Sequence, residues 1–131
     1  QKGGSAPLVD VIDYGGTASR PGLTLLEAPG NDAISSTALA AAGATMILFT
    51  TGRGTPLGFP VPSMKIASNS ALAAAKPGWI DFDAGRVLTE GTDAVDVDFA
   101  ECLLATASGR PTAAETGGQR AIAIWKRGVT L

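Results

Sequence analysis

The chain has 131 residues, enough for one domain with a real core. Its 45% hydrophobic and 17% charged content marks a globular protein and excludes a disordered one. A net charge of −2 excludes a basic nucleic-acid or anionic-membrane surface, and no apolar run reaches the roughly 20 residues that span a bilayer.

From the start, residues 1–21 are broken by Gly3-Gly4, Gly15-Gly16 and Pro21 and read as a lead-in segment. Leu8, Val9, Val11 and Ile12 fit a short helix capped by Ser5 or a strand, with the balance toward helix. The remainder, 22–131, reads as one α/β domain. Leu23-Thr24-Leu25-Leu26 is a short buried strand bounded by Gly and Pro. Pro29-Gly30-Asn31-Asp32 turns into a helix from Ala33 to about Ala42, with Asp32 as a candidate cap and Gly43 as its stop. Thr45 to Thr50 is the next strand, and the strand–helix–strand order predicts a parallel βαβ unit.

Residues 52–62 form a loop carrying Pro56, Pro60 and Pro62. Ser63 to Ala67 is a third strand with Lys65 inside it. A short helix, Ala71 to Ala75, follows the capping residues Ser68-Asn69-Ser70. Trp79 to Asp83 alternates apolar and acidic and reads as a fourth strand or a strand end. Ala84 to Gly91 is a connection. Thr92 or Asp93 caps the clearest helix, about Ala94 to Ser108, whose apolar face includes Val95, Phe99, Cys102 and Leu103. Residues 110–120 read as a polar loop, Ala121 to Trp125 as a last strand, and 126–131 as a tail. The predicted fold is a Rossmann-like layer: a mostly parallel sheet of about five strands flanked by helices.

Four loops follow predicted strands, at Pro29–Asp32, Thr50–Thr55, Ser68–Asn69 and Asp83–Gly85. In a single parallel sheet they share one edge, where α/β proteins bind ligands. Thr50, Thr51, Gly52, Arg53 and Gly54 combine hydroxyls, flexible backbone and a planar guanidinium, which suits either a carboxylate or phosphate site or a plain strand-to-loop turn with a solvated arginine. Asp32 and Asn69 are either helix caps or further contacts. Lys65 is either an edge-strand charge or a buried functional amine. Asp81 and Asp83, two apart, suit a hard metal ion or plain strand-end capping. The chain has no histidine and a single cysteine, Cys102, on the apolar helix face; this removes the commonest general base and forbids an internal disulfide, which favours a cytoplasmic setting. The first residue is Gln1, not Met, and a longer parent chain is expected.

The string Phe49-Thr50-Thr51-Gly52-Arg53-Gly54-Thr55-Pro56, with Gly58 beyond, resembles the signature loop of the altronate/galactarate dehydratase family. Pro29-Gly30 with Asp32, Pro62 with Lys65-Ile66-Ala67 and Asn69-Ser70, Ile80 to Gly85, and Ala105 to Gly109 resemble further family segments in the same order. The resemblance covers about residues 20–131. It implies the C-terminal part of a sugar-acid hydro-lyase that makes 2-keto-3-deoxy acids, with a parallel α/β layer and a divalent metal, iron(II), held mostly by residues upstream of this chain. Arg53 with the 50–54 loop is then expected to hold a substrate carboxylate and Lys65 to act as base or electrostatic stabiliser. Asp32, Asn69, Asp81 and Asp83 are expected at hydroxyls or metal. A sugar-acid substrate, upstream domains of the same protein and a homo-oligomer are the expected partners. The isolated piece is expected to be inactive. A sulfolactate-type sulfo-lyase subunit and a non-catalytic binding or dimerisation module are the alternatives.

Overall fold

The computed structural model describes residues 3–126. Its first element is a strand, β1 (Leu8–Ile12), and not the helix toward which the sequence leaned. Three of its five residues are β-branched, which favours extended backbone. It pairs in parallel with β2 (Leu23–Leu26) through Asp10↔Thr24, Val11↔Leu25 and Ile12↔Leu26. Thus part of the segment read as a lead-in forms half of a sheet.

Helix α1 (Asp32–Ala41) follows. Its cap is Asn31, whose side-chain oxygen accepts from the Ala33 and Ile34 amides at 3.1 and 3.2 Å. Asp32 is therefore the first helical residue rather than the cap, placed where a carboxylate favours the helix dipole. Gly43, at φ +107°, turns the chain out of the helix as expected.

β3 (Ile47–Thr51), β4 (Ser63–Ala67) and β5 (Phe82–Asp83) form a second parallel sheet in the order β3-β4-β5. The expected single sheet of about five strands is thus two parallel sheets, of two and three strands. The predicted unit from β2 through α1 to β3 does not close, because β2 pairs with β1 and β3 with β4. The crossover from β3 to β4 is the proline-bearing loop 52–62. The helical crossover lies one step later, where α2 (Ser70–Ala75) joins β4 to β5. Asn69 caps α2 by accepting from the Leu72 amide at 2.8 Å.

Strand β5 is shorter than predicted. Pro77-Gly78 keeps the chain in a turn, with the Trp79 amide donating to the Lys76 carbonyl, and sheet-like bonding starts only where the Asp81 amide meets the Lys65 carbonyl at 2.9 Å. The expected connection after it holds a 3-10 turn, Ala84–Arg86, and α3 (Val87–Glu90). Helix α4 (Thr92–Ala107) starts from Gly91 at φ +84° without a side-chain cap, so neither Thr92 nor Asp93 caps it. The predicted loop 110–120 contains α5 (Ala113–Thr116), opened by a reciprocal capping box between Thr112 and Glu115.

Ala121 to Trp125 does not become a strand. Its alternate amides are taken by unrelated partners: Ala121 donates to the Gly58 carbonyl, Ala123 to Thr37 Oγ1 and Trp125 to the Tyr14 hydroxyl. That leaves no ladder to join. The tail beyond 126 lies outside the described residues.

β4 is buried from end to end, as a central strand must be. On one face Met64, Ile66 and Phe82 pack with Val95 and Cys102 of α4, joined by Phe99 and Leu103. Full burial of a side chain such as Met64 contributes about 1.5–3 kcal/mol. Cys102 is the core cysteine that its helix position predicts. On the other face Lys65 lies beside Phe49, its register partner, with Phe59 of the 52–62 loop packed near by.

Candidate functional site

The register Thr51↔Ala67↔Asp83 ends β3, β4 and β5 at one level. Their three following loops therefore leave from a common edge and knit together. The Ser68 amide donates to the Thr51 carbonyl at 3.0 Å, and Asn69 Nδ2 reaches the Gly52 carbonyl at 3.4 Å. Gly85 lies so close to the second loop that a Cβ on it would fall 2.4 Å from the Ser70 nitrogen. Three of the four predicted loops thus converge. The fourth, Pro29–Asp32, follows β2 of the other sheet, and the hydrogen bonds that knit the edge do not include Asp32.

The Arg53 turn is built from both sides. Thr51 Oγ1 accepts from the Gly54 amide at 2.9 Å, and Gly54 takes φ +78°, which an L side chain resists. Lys76 Nζ donates to the Arg53 carbonyl at 2.8 Å while resting 4.5 Å from the Trp79 ring. The backbone at Arg53 is therefore held, and its side chain stands exposed with no hydrogen bond among the described residues. The Gly54 amide is spent on Thr51, and the guanidinium is the charged donor this turn offers an anion. Thr50 and Thr51 diverge: Thr51 holds the turn, while Thr50 lines an apolar cavity of about 230 Å³ with Ile66, Phe82 and Phe99. Lys76 carries no motif that marks it in the sequence; only its place at the end of α2, just before Pro77-Gly78, hints that its side chain returns to the loop.

Lys65 is at 0% exposure, in the middle of the central strand and not at its end, so it is not an edge-strand charge. Its Nζ donates to the Leu57 carbonyl and sits 5.4 Å from the Phe49 ring centroid. Burial pushes the ammonium below the ordinary lysine value, and the Asp81 carboxylate pulls it part of the way back. Asp81 is a clasp. One of its oxygens accepts from the Lys65 amide and the other from the Ala113 amide, each at 2.7 Å, tying β4 to the start of α5. Asp83 accepts from the Gly85 amide at 2.9 Å.

These commitments bear on the metal that the family resemblance implies. Both Asp81 oxygens and one of Asp83 already hold backbone amides, and among the described residues no three His, Cys, Asp or Glu side chains gather to hold an ion. The described residues do not by themselves fit a divalent metal. Away from this edge, Arg86 pairs with Glu90 and Asp98 at 2.6 Å each, which raises the guanidinium further above its ordinary value. That cluster is a surface ion network worth little to stability. Among the described residues no helix is long and apolar enough to cross a membrane.

Residues 1–130 match the family model described as D-galactarate/altronate dehydratase, C-terminal. The chain is 50% identical to an altronate dehydratase of Escherichia coli (strain K12) and 48% identical to one of Bacillus subtilis (strain 168). Each match covers all of this chain and 27% of the relative. A galactarate dehydratase (L-threo-forming) of Escherichia coli (strain K12) is 34% identical over 83% of this chain and 21% of its own length. The chain thus spans about a quarter of the length of the curated relatives it matches.

Proposed function

We infer the function from one premise: the chain belongs to the D-galactarate/altronate dehydratase family and corresponds to its C-terminal part. The full-length protein is a hydro-lyase that removes water from a polyhydroxy acid to give a 2-keto-3-deoxy acid. This chain supplies the carboxylate-holding edge of its active site. The observation that carries the reading is the exposed Arg53 guanidinium on a turn fixed by Thr51 and Lys76, at the shared edge of three parallel strands.

Dehydration of such an acid removes the proton alpha to the carboxylate and expels the β-hydroxyl. Negative charge then builds on the two carboxylate oxygens. A planar fork that already binds both oxygens strengthens as that charge grows, so it favours the transition state over the ground state. Arg53 meets this need because its carbonyl is anchored and only the side chain must settle. Asn69, at the same edge, is the nearest candidate for a substrate hydroxyl, and Asp83 borders it. Asp32, which follows β2 of the other sheet, takes no part in the hydrogen bonds of this edge and is left out of the reading. The divalent metal, the base that takes the alpha proton and the acid for the leaving hydroxyl are assigned to the rest of the longer protein.

Arg53→Lys in the full-length enzyme tests the reading. Lysine keeps the charge and loses the fork, so kcat/KM for the sugar acid should fall by about tenfold to a thousandfold. Kinetics within about twofold of wild type would remove Arg53 from the site. The same preparation, sized by light scattering, tests the expected homo-oligomer.

A further inference from the structure

Lys65 is the one charged side chain among the described residues that is wholly buried, and carboxylate binding at Arg53 makes no use of it. Its surroundings indicate what it does. Residue 65 is fastened three ways: its amide donates to Asp81, its carbonyl accepts from the Asp81 amide, and its ammonium donates to the Leu57 carbonyl. The first two bonds fix the stem of the side chain. The third fixes the 52–62 loop, four residues after Arg53. The ammonium lies 5.4 Å from the Phe49 ring centroid, and Phe49 stacks on Phe59 with ring centroids 6.4 Å apart. One residue beyond Leu57, Gly58 is held through its carbonyl by the Ala121 amide at 2.7 Å and packs so tightly that a Cβ would strike the Gln119 carbonyl.

The loop that carries Arg53 is therefore pinned at both ends of a five-residue stretch, by Lys76 at the Arg53 carbonyl and by Lys65 at the Leu57 carbonyl. We propose that Lys65 is a positioning residue, a buried tether from the central strand that sets where the Arg53 turn stands over the strand ends, and that it exchanges no proton with substrate. The kinetic part of this inference rests on the function proposed above; the structural part does not.

Two experiments on the full-length protein separate tether from base. In the wild type, amine labelling by acetic anhydride, read by mass spectrometry, should modify Lys65 at least about tenfold more slowly than half-buried Lys76, with or without sugar acid. Labelling of Lys65 as fast as Lys76, or protection of Lys65 by the acid, overturns the tether. Lys65→Met removes the donor and keeps the stem. Loss of a tether loosens Arg53 and raises KM by about tenfold, with kcat within a few-fold of wild type. Adding it to Arg53→Ala should then cost little more, since both act on the same contact. A fall in kcat of about a hundredfold to ten-thousandfold at unchanged KM is the signature of a lost base and overturns the proposal; so does a lowered unfolding midpoint with unchanged KM. If the wild type turns over no sugar acid, the proposed function fails, while the labelling result still decides the tether.

Discussion

Arg53 and Lys65 show how backbone support sorts two cations on one loop. Arg53 has its carbonyl held and, among the described residues, no hydrogen bond to its guanidinium; Lys65 has its ammonium spent on a carbonyl. Lys65 keeps a titration in reserve. Burial lowers its pKa from 10.5, so between that lowered value and 10.5 the unfolded chain binds the proton that the folded chain has released. Stability from this group therefore rises with pH across that window, and the cost of burying the charge is fully present below it. Urea unfolding of the wild type and of Lys65→Met, compared from about pH 8 to 10.5, should show the wild type gaining on the variant as pH rises. A difference that stays flat sinks the assignment. The exposed place of Arg53 on the turn after β3 is legible from residue type and loop setting alone. The fate of Lys65 was not, because it depends on which strand is central and on a carbonyl eight residues away. Asp81 was hidden more deeply: its partners, the Lys65 and Ala113 amides, lie 16 and 32 residues off, and no local pattern encodes them.

Among the elements, those with a local cause were readable. β2, β4, α1, α2 and α4 follow apolar runs, caps and glycine stops within a residue or two of expectation. Those decided by partners were not. β1 is a strand because β2 pairs with it, and the alternating Ala121 to Trp125 is none because its amides are already engaged. α5 was overlooked although Thr112 and Glu115 carry the capping-box spacing. The convergence of loops depends on the same kind of close fit. Gly85 abuts Asn69 and Ser70 without needing positive φ, so only its missing side chain is required there. Gly85→Ala should cost about 1–3 kcal/mol in urea unfolding, as the added methyl pushes the second and third loops apart. Gly30, also without positive φ, has nothing within 4 Å of a built Cβ, and Gly30→Ala should change stability by less than about 0.5 kcal/mol. Equal effects at the two positions would mean that the loops yield freely at Gly85.

At the scale of the whole molecule, the proposed function gives this chain one edge of a site and not its full chemistry. It has no histidine in its 131 residues, and its Asp81 and Asp83 carboxylates are turned to backbone amides. It spans about a quarter of its curated relatives. Several large apolar side chains also stand open, among them Leu88 at 89% and Ile124 at 79% exposure. Scattered exposure of this kind is ordinary in a complete domain and is also what a surface covered by further chain leaves behind. Elimination needs a base, an acid for the hydroxyl and a countercharge for the enediolate, and the proposed role of Arg53 covers a part of the last alone. The isolated 131-residue chain, first shown to be folded by circular dichroism and a cooperative melt, should therefore show no turnover of altronate or galactarate, with or without ferrous iron under reducing conditions. Formation of the 2-keto-3-deoxy acid is the measurement. Product above the no-protein blank would place base and acid within these residues.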